Sequence, residues 1–148
     1  MALTTKKGDF GKTSIKDLQL NKDDITIELL GTIDETIANL VVVYNLIKVE
    51  EIRSIVDDLS LFASIIADYK KTFNKDLINK LDTKIADYQK TFSFSYPFDD
   101  YQKSIINVTR TIVRKLERIY WRYCQEHNFN NDIAAYINRL SDYLYTFL

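Results

Sequence analysis

Glycine and proline are scarce in this chain, and their scarcity limits the folds that it can adopt. Three glycines and one proline occur among 148 residues. Because these residues form most tight turns, the sequence disfavours a turn-rich β sandwich and favours long helices with few breaks. The chain is also 46% apolar, which is enough to bury a core in one domain over residues 1–148. We therefore predict an all-α protein.

Charge and cysteine content exclude several classes of protein. The 20 basic residues are balanced by 21 acidic ones, so no overall positive field predicts nucleic-acid binding. Cys124 is the single cysteine, which excludes an intrachain disulfide and a cysteine-based zinc site.

The longest apolar run, 38–47, is interrupted by Asn39 and Asn45 and is too short to cross a membrane. No signal peptide is visible. We expect a cytoplasmic protein without a membrane partner.

Apolar residues at three- and four-residue spacing predict a bundle of five helices. The first is predicted to begin at Gly31, because Thr32 to Glu35 has the pattern of a capping box and would place Asp34 in the first turn. The other four are predicted over about 49–72, from a cap at Asn74 to about Thr91, over about 99–126, and from a cap at Asn130 or Asn131 to Leu148. Apolar residues do not recur at helical spacing in residues 1–30. We predict that these residues form an ordered arm of loop or short extended segments.

The predicted fourth helix carries three arginines on one stripe. Arg110, Arg114 and Arg118 follow each other at four-residue spacing within NVTRTIVRKLERIYWR, and Glu117 is the one acid beside them. Such a stripe is often an ordinary solvated face. Guanidinium groups are also well suited to bind phosphate or carboxylate, because they stay charged and donate in pairs.

Apolar residues flank this stripe in two sets, which predicts that the helix is central and packed on both sides. One set is Ile105, Val108, Ile112, Leu116, Ile119 and Tyr123, and the other is Ile106, Val113 and Tyr120. The arginines would then lie in a groove. The helix is therefore a candidate anion-binding wall.

The arm contains a second candidate for anion binding. TKKGDFGKTS, residues 5–14, combines two glycines, three lysines and three hydroxyls, a composition that favours binding of a triphosphate. Gly11, Lys12 and Thr13 look like the end of a Walker A loop. Lys6 stands where that motif needs glycine, however, and no strand-loop-helix pattern surrounds it. The other interpretation is a polar tail without function.

Other polar and aromatic residues give weaker signals. Four acids on or beside polar helix faces, Asp57, Asp58, Asp68 and Asp82, have no accompanying histidine, and we predict no metal site among them. His127 is expected to be a surface residue with no nucleophile to serve. Phe92 and Phe94, in a short connection before Pro97, are expected to pack in the core more readily than to contact a ligand.

Four segments in order resemble the ATP:corrinoid adenosyltransferases of the propanediol-utilisation type. They are TKKGDFGKTS (5–14), GTIDE (31–35), TRTIVRKLER (109–118) and YINRLSDYL (136–144), with a Phe-x-x-Pro element at 94–97. The resemblance covers nearly the whole chain. It implies the ferritin-like, five-helix architecture of that family, assembled as a homotrimer with an active site at each subunit interface.

The resemblance also implies an activity. Enzymes of this type transfer the 5′-deoxyadenosyl group of ATP to the cobalt of cob(I)alamin and release triphosphate, with Mg²⁺ accompanying ATP. Reduced cobalt is the nucleophile, so no catalytic Ser, Cys or His is needed. A corrinoid reductase and a B12-dependent acceptor enzyme are the implied protein partners.

Roles for individual residues follow from the resemblance. Arg110 is expected to pair with Asp34 of the adjacent subunit, and Phe94 to lie on the lower face of the corrin, where it displaces the axial base. The residues expected at the nucleotide are Thr5, Lys6, Gly8, Asp9, Gly11 and Thr13 in the arm, with Arg114, Glu117 and Asn138 in the bundle. Asp34, Phe94, Arg110 and Arg114 are the expected catalytic residues.

The chain also departs from the family pattern. Pro97-Phe98-Asp99 replaces the usual Pro-Gly-Gly, Thr26 and Lys115 replace arginines, and Ile37 replaces an asparagine. Two other functions stay open on the sequence alone. One is a non-catalytic member that binds ATP or a corrinoid as a sensor or cofactor-delivery partner; the other is a helical bundle used only for protein interaction.

Overall fold

The computed structural model describes residues 2–88, 93–129 and 131–148, and within them it contains five helices and one β-hairpin. The helices are α1 (Ile25–Ile47), α2 (Glu51–Ile66), α3 (Asp76–Ala86), α4 (Tyr101–His127) and α5 (Asn131–Tyr145), and the strands are β1 (Lys12–Ile15) and β2 (Leu18–Asn21). The predicted all-α, five-helix architecture is confirmed. Thr91, Phe92 and Asn130, for which a helix end, a packing role and a cap were predicted, lie outside the described residues.

The N-terminal arm is ordered around the hairpin, as the prediction of short extended segments required. The strands pair antiparallel, with Lys12 opposite Asn21 and Ile15 opposite Leu18. Lys16 and Asp17 form the turn, and Lys16 has a left-handed backbone with φ 54°.

The predicted start of α1 at Gly31 is wrong, because the helix begins six residues earlier, at Ile25. The side chain of Asp24 accepts a hydrogen bond from the Thr26 N–H at 2.8 Å and so caps the helix. Thr32 lies inside the helix, where its hydroxyl donates to the Glu28 carbonyl at 2.8 Å. Leu29 and Ile33 are buried on the same face. The apolar stripe of α1 therefore begins N-terminal to the predicted capping box. Asp34 accordingly lies beyond the first turn.

The remaining helix boundaries differ from the predictions mainly at C-terminal ends. α2 stops at Ile66, before Asp68 adopts a left-handed φ of 61°, and α3 stops at Ala86. Asn74 acts as predicted, because its side chain accepts from the Asp76 N–H at 2.9 Å. Asp100 caps α4 in the same way, accepting from the Lys103 N–H at 2.9 Å.

α4 is the central helix, as predicted, since it packs against both α1 and α5. Its buried residues form one wide stripe, not two separate faces: Ile106, Thr109, Val113, Leu116, Ile119, Tyr120, Tyr123 and Cys124. Val108, expected in the core, is 49% exposed. The buried positions recur at three- and four-residue spacing along one side of α4, and Val108 lies outside that stripe.

Polar contacts also join the helices. Lys115 and Arg122 of α4 form ion pairs with Glu35 and Glu28 of α1, at 2.6 and 2.9 Å. The buried Tyr136 of α5 donates to the Asp58 carboxylate of α2 at 2.7 Å. Burial raises the pKa of Asp58, and the hydrogen bond from Tyr136 opposes that rise. None of the helices in the described ranges is long and apolar enough to cross a bilayer.

The position of the α1 cap is testable. Asp24→Ala is expected to lower the free energy of unfolding by about 1 kcal/mol, because the Thr26 N–H loses its acceptor. Asp23→Ala, at the exposed neighbouring position, is the matched control and should change it by less than about 0.5 kcal/mol. Urea unfolding measures both. Equal effects of the two substitutions would show that Asp24 is not the cap.

Candidate functional site

Arg114 is the centre of a polar contact between α4 and α5. Its Nη1 donates to the Glu117 carboxylate at 2.6 Å and to the Asn138 side-chain oxygen at 3.2 Å. The Glu117 side chain is only 16% exposed, whereas that of Arg114 is 47% exposed. A mostly buried carboxylate therefore orients the guanidinium and leaves the rest of it open to solvent. The structure brings together the three bundle residues predicted at the nucleotide.

An open groove of about 580 Å³ runs beside this contact. Arg110 and Arg114 contribute two positive charges to one wall, and Asp142 contributes a carboxylate. The other lining residues are Ile85, Tyr88, Ser141, Tyr145 and Thr146. The predicted arginine groove is thus present. Its cationic wall and partly apolar lining suit an anionic ligand with a flat organic portion.

Phe94 lies next to the groove and contacts Arg110. The guanidinium carbon of Arg110 is 5.3 Å from the centre of the Phe94 ring, within the range of a cation–π interaction. Tyr96 packs against the same ring edge to face, with centroids 5.1 Å apart. Phe94 remains 36% exposed, so it is available to a ligand and does not plug the core. No sequence signal indicated its contact with Arg110.

Arg118 and Asp34 lie outside these contacts. Arg118 donates to the Arg114 carbonyl at 3.1 Å, one turn back on its own helix. Asp34 is exposed on α1, and no side chain in the described part of the chain forms an ion pair with it. Its neighbour Glu35 binds Lys115 instead. The predicted Asp34–Arg110 pair is therefore not formed within one chain.

The candidate triphosphate loop forms two successive tight turns before β1. The Asp9 N–H donates to Lys6 and the Gly11 N–H to Gly8, both at 3.3 Å. Lys6 and Gly11 have left-handed φ values of 57° and 76°. The predicted arm residues Thr5, Lys6, Asp9 and Gly11 are exposed, and Gly8 and Thr13 are half-buried. The loop thus presents backbone and lysine donors to solvent.

Within one chain the arm and the arginine groove are separate. A cavity of about 500 Å³ lies between the hairpin and the end of the bundle, and Tyr123 and His127 line it. Tyr123 lies about 13 Å further along α4 than Arg114, at about 1.5 Å per residue. No hydrogen bond among the described residues joins the loop to Arg114, Glu117 or Asn138. The structure therefore does not unite the two halves of the predicted nucleotide site in a single chain.

The single cysteine and the single histidine do not line the arginine groove. Cys124 is buried, and burial raises the pKa of its thiol, so the reactive thiolate is disfavoured. The His127 ring stacks on Tyr123 with centroids 4.3 Å apart. Among the described residues no three His, Cys, Asp or Glu side chains converge as metal ligands.

Comparison with known proteins identifies the family. The sequence profile described as cobalamin adenosyltransferase matches residues 3–148. The chain belongs to the cobalamin adenosyltransferase family. The corrinoid adenosyltransferase of Citrobacter freundii is 30% identical over 158 residues, with 96% of this chain and 90% of that protein covered. The corrinoid adenosyltransferase of Bacillus subtilis is 28% identical, with 98% and 83% covered.

Solved structures of the cobalamin adenosyltransferase family share the fold. A variant PduO-type ATP:corrinoid adenosyltransferase from Lactobacillus reuteri, complexed with cobalamin and ATP, has a TM-score of 0.85 and 28% identity, covering 98% of this chain and 88% of that chain. A second variant of the Lactobacillus reuteri enzyme, complexed with ATP, has a TM-score of 0.86 and 28% identity over 98% and 90%. The family resemblance read from the sequence motifs is confirmed.

The contact between Arg110 and Phe94 can be measured with a double-mutant cycle. Arg110→Met and Phe94→Leu are expected to couple by about 0.5–1 kcal/mol in the free energy of unfolding, because each removes one half of the cation–π contact. Arg118→Met combined with Phe94→Leu is the control pair and should be additive within about 0.3 kcal/mol. A coupling for Arg110 no larger than that of the control would contradict the contact.

Proposed function

We propose that this protein is an ATP:corrinoid adenosyltransferase, which transfers the 5′-deoxyadenosyl group of ATP to the cobalt of cob(I)alamin and releases triphosphate. The observation that carries the proposal is the guanidinium of Arg114, held by Glu117 and Asn138 in a groove beside Phe94, in a member of this family. A relative with the same fold is complexed with both cobalamin and ATP. No feature of the described residues favours a sensor or delivery partner over the enzyme.

The chemistry requires little covalent participation from the protein. The cobalt(I) electron pair attacks the 5′ carbon of ATP, a cobalt–carbon bond forms, and the carbon–oxygen bond breaks with its electrons leaving on triphosphate. Cobalt is formally oxidised from I to III. The protein must align the carbon with cobalt and stabilise charge on the leaving group. This division of labour agrees with the buried thiol of Cys124 and the stacked ring of His127.

The nucleotide is proposed to bind between two subunits. The arm contributes Thr5, Lys6, Gly8, Asp9, Gly11 and Thr13, and the bundle contributes Arg114, Glu117 and Asn138. Because the loop and Arg114 lie apart in one chain, the arm of one subunit must meet the arginine groove of another. A homotrimer with one site at each interface satisfies this requirement by cyclic symmetry.

Two features of the surface support the proposed assembly. Asp34 is exposed and unpaired within the described chain, which leaves it available to Arg110 of the adjacent subunit. Val41 and Val42, further along α1, are 44% and 48% exposed, and an interface that covered them would bury apolar surface. The Asp34–Arg110 pair would draw the guanidinium away from Phe94 at the moment the interface forms.

The corrin is proposed to lie against the exposed face of Phe94, which displaces the axial base and so favours reduction to cobalt(I). Tyr96 supports the ring from one edge. Phe98, which stands in the element that replaces Pro-Gly-Gly, is 91% exposed and extends the same aromatic surface. Corrinoid binding therefore rests on packing against aromatic faces and not on charge.

Mg²⁺, the cellular compartment and the protein partners complete the proposal. Mg²⁺ accompanies ATP and is held mainly by phosphate oxygens. Residues 1–148 act as a single domain in the cytoplasm. A corrinoid reductase supplies the reduced substrate, and a B12-dependent enzyme accepts the product.

Substitution of Arg114 tests the proposed function. Arg114→Ala is expected to lower kcat by at least about 100-fold, because positive charge at the leaving triphosphate is lost, while the trimer stays folded. Arg118→Ala, one turn away on the same helix, is the matched control and should retain activity within about twofold. The assay is anaerobic incubation with reduced cobalamin, ATP and Mg²⁺, followed by the optical change to the adenosylated, base-off product.

Other outcomes of this assay decide between the alternatives. Full activity of Arg114→Ala would overturn the site assignment. If the wild-type protein shows no turnover but is stabilised against heat by ATP, it is a non-catalytic binding protein. If it shows neither response, the helical bundle serves protein interaction alone.

A further inference from the structure

Lys16 occupies a strained position at the tip of the hairpin. It is the first of the two turn residues and has a left-handed φ of 54°, where glycine is the usual choice because it carries no Cβ. A lysine gains nothing locally from this backbone conformation. What a lysine adds at this position, and a glycine cannot, is a contact between its long side chain and another part of the fold.

The Lys16 side chain makes such contacts at the C-terminal end of α2. The Lys16 ammonium donates a hydrogen bond to the carbonyl of Asp68, lies 3.9 Å from the Asp68 carboxylate and is 5.5 Å from the centre of the Tyr69 ring. Asp68 lies just beyond the C-terminal end of α2, where the negative end of the helix dipole also favours a cation. In the described part of the chain, Lys16 thus joins the turn of the hairpin to the end of α2, while Asn21 at the other end of the hairpin accepts a hydrogen bond from the Asp24 N–H at 3.1 Å.

The other end of the hairpin is joined directly to the candidate triphosphate loop. The Lys22 N–H donates to the Gly11 carbonyl at 2.8 Å. The Lys22 side chain also lies beside Gly8, with its Nζ 3.0 Å from the place where a Cβ would stand. Loop and hairpin therefore move together, and a restraint on the turn at Lys16 limits the position of the whole loop.

We infer that Lys16 is a positioning residue for ATP: by tying the hairpin to the end of α2, it holds the candidate triphosphate loop, residues 5–14, where it can receive the triphosphate. Lys16 itself touches no substrate. This inference rests on the proposed function, since it names a residue that prepares the same nucleotide site. Without the tether, the loop samples more positions before ATP binds, so ATP binding weakens while the chemical step at saturating ATP is preserved.

Lys16→Asn is the informative substitution, because asparagine tolerates a left-handed backbone but cannot reach α2. Its KM for ATP is expected to rise about three- to tenfold, the range that corresponds to losing an exposed charged contact and a cation–π contact. The kcat and the KM for the corrinoid should stay within about twofold of wild type. Lys16→Arg, which restores a cation of similar reach, should recover most of the loss.

Lys70 provides a matched control. It is also a lysine with a left-handed backbone, φ 52°, it lies two residues beyond Asp68, and within the described residues its side chain makes no hydrogen bond or ion pair. Lys70→Asn should leave all three kinetic constants within about twofold of wild type. An equal rise in the KM for ATP in both variants would overturn the inference.

Hydrogen exchange separates the tether from catalysis. In the absence of ATP, the amides of residues 12–21 should exchange several-fold faster in Lys16→Asn than in wild type, with the core of α4 unchanged. Unchanged exchange, or an unchanged KM for ATP, would overturn the role of Lys16. A wild-type protein without turnover or ATP binding would instead overturn the proposed function, and the ATP role of Lys16 with it, even if hairpin exchange changes as expected.

Discussion

The site depends on one interaction, the hydrogen-bonded ion pair between Arg114 and the mostly buried carboxylate of Glu117. An exposed arginine has many rotamers, and fixing one of them costs conformational entropy. Glu117 fixes the rotamer of Arg114 in the folded protein, before any ligand binds. Asn138 of α5 restricts that rotamer further. A guanidinium oriented in advance stabilises developing negative charge more effectively than one that must reorganise. The central position of α4 makes this arrangement possible, because the same helix packs against α1 and α5 and presents Arg114 to Asn138 of α5.

The arm is held in place by different interactions from those that hold the bundle. It has few apolar residues, so it cannot be held by core burial, and its order derives from the hairpin ladder, the turns around Gly8 and Gly11, and the contact of Lys16 with α2. Such a segment is easily displaced, which suits a loop that must admit and release a nucleotide. The bundle and the arm thus supply the two properties that the proposed reaction needs, a rigid cationic wall and an adjustable phosphate cradle. In the proposed assembly a second chain brings them together.

Much of this arrangement was predictable from the sequence, for identifiable reasons. Helical periodicity and the scarcity of glycine predicted five helices, and the motif resemblance predicted that Arg114, Glu117 and Asn138 belong to one site. The start of α1 was mispredicted because Thr32 to Glu35 matches a capping box although Asp24 is the actual cap. The contacts of Arg110 with Phe94 and of Lys16 with Asp68 could not be predicted. Each contact joins two segments that tertiary packing brings together, and no residue spacing in the sequence indicates it.

The central claim is that each active site is shared between subunits, and mixing two inactive variants tests it most directly. Lys6→Ala inactivates the loop and Arg114→Ala inactivates the groove, so each homotrimer should be inactive alone. When the two are unfolded and refolded together in equal amounts, about one quarter of the interfaces should combine an intact loop with an intact Arg114. Adenosyltransferase activity should therefore recover to about a quarter of the wild-type value. Mixed trimers that form but show no activity above that of the two parents would contradict a shared site.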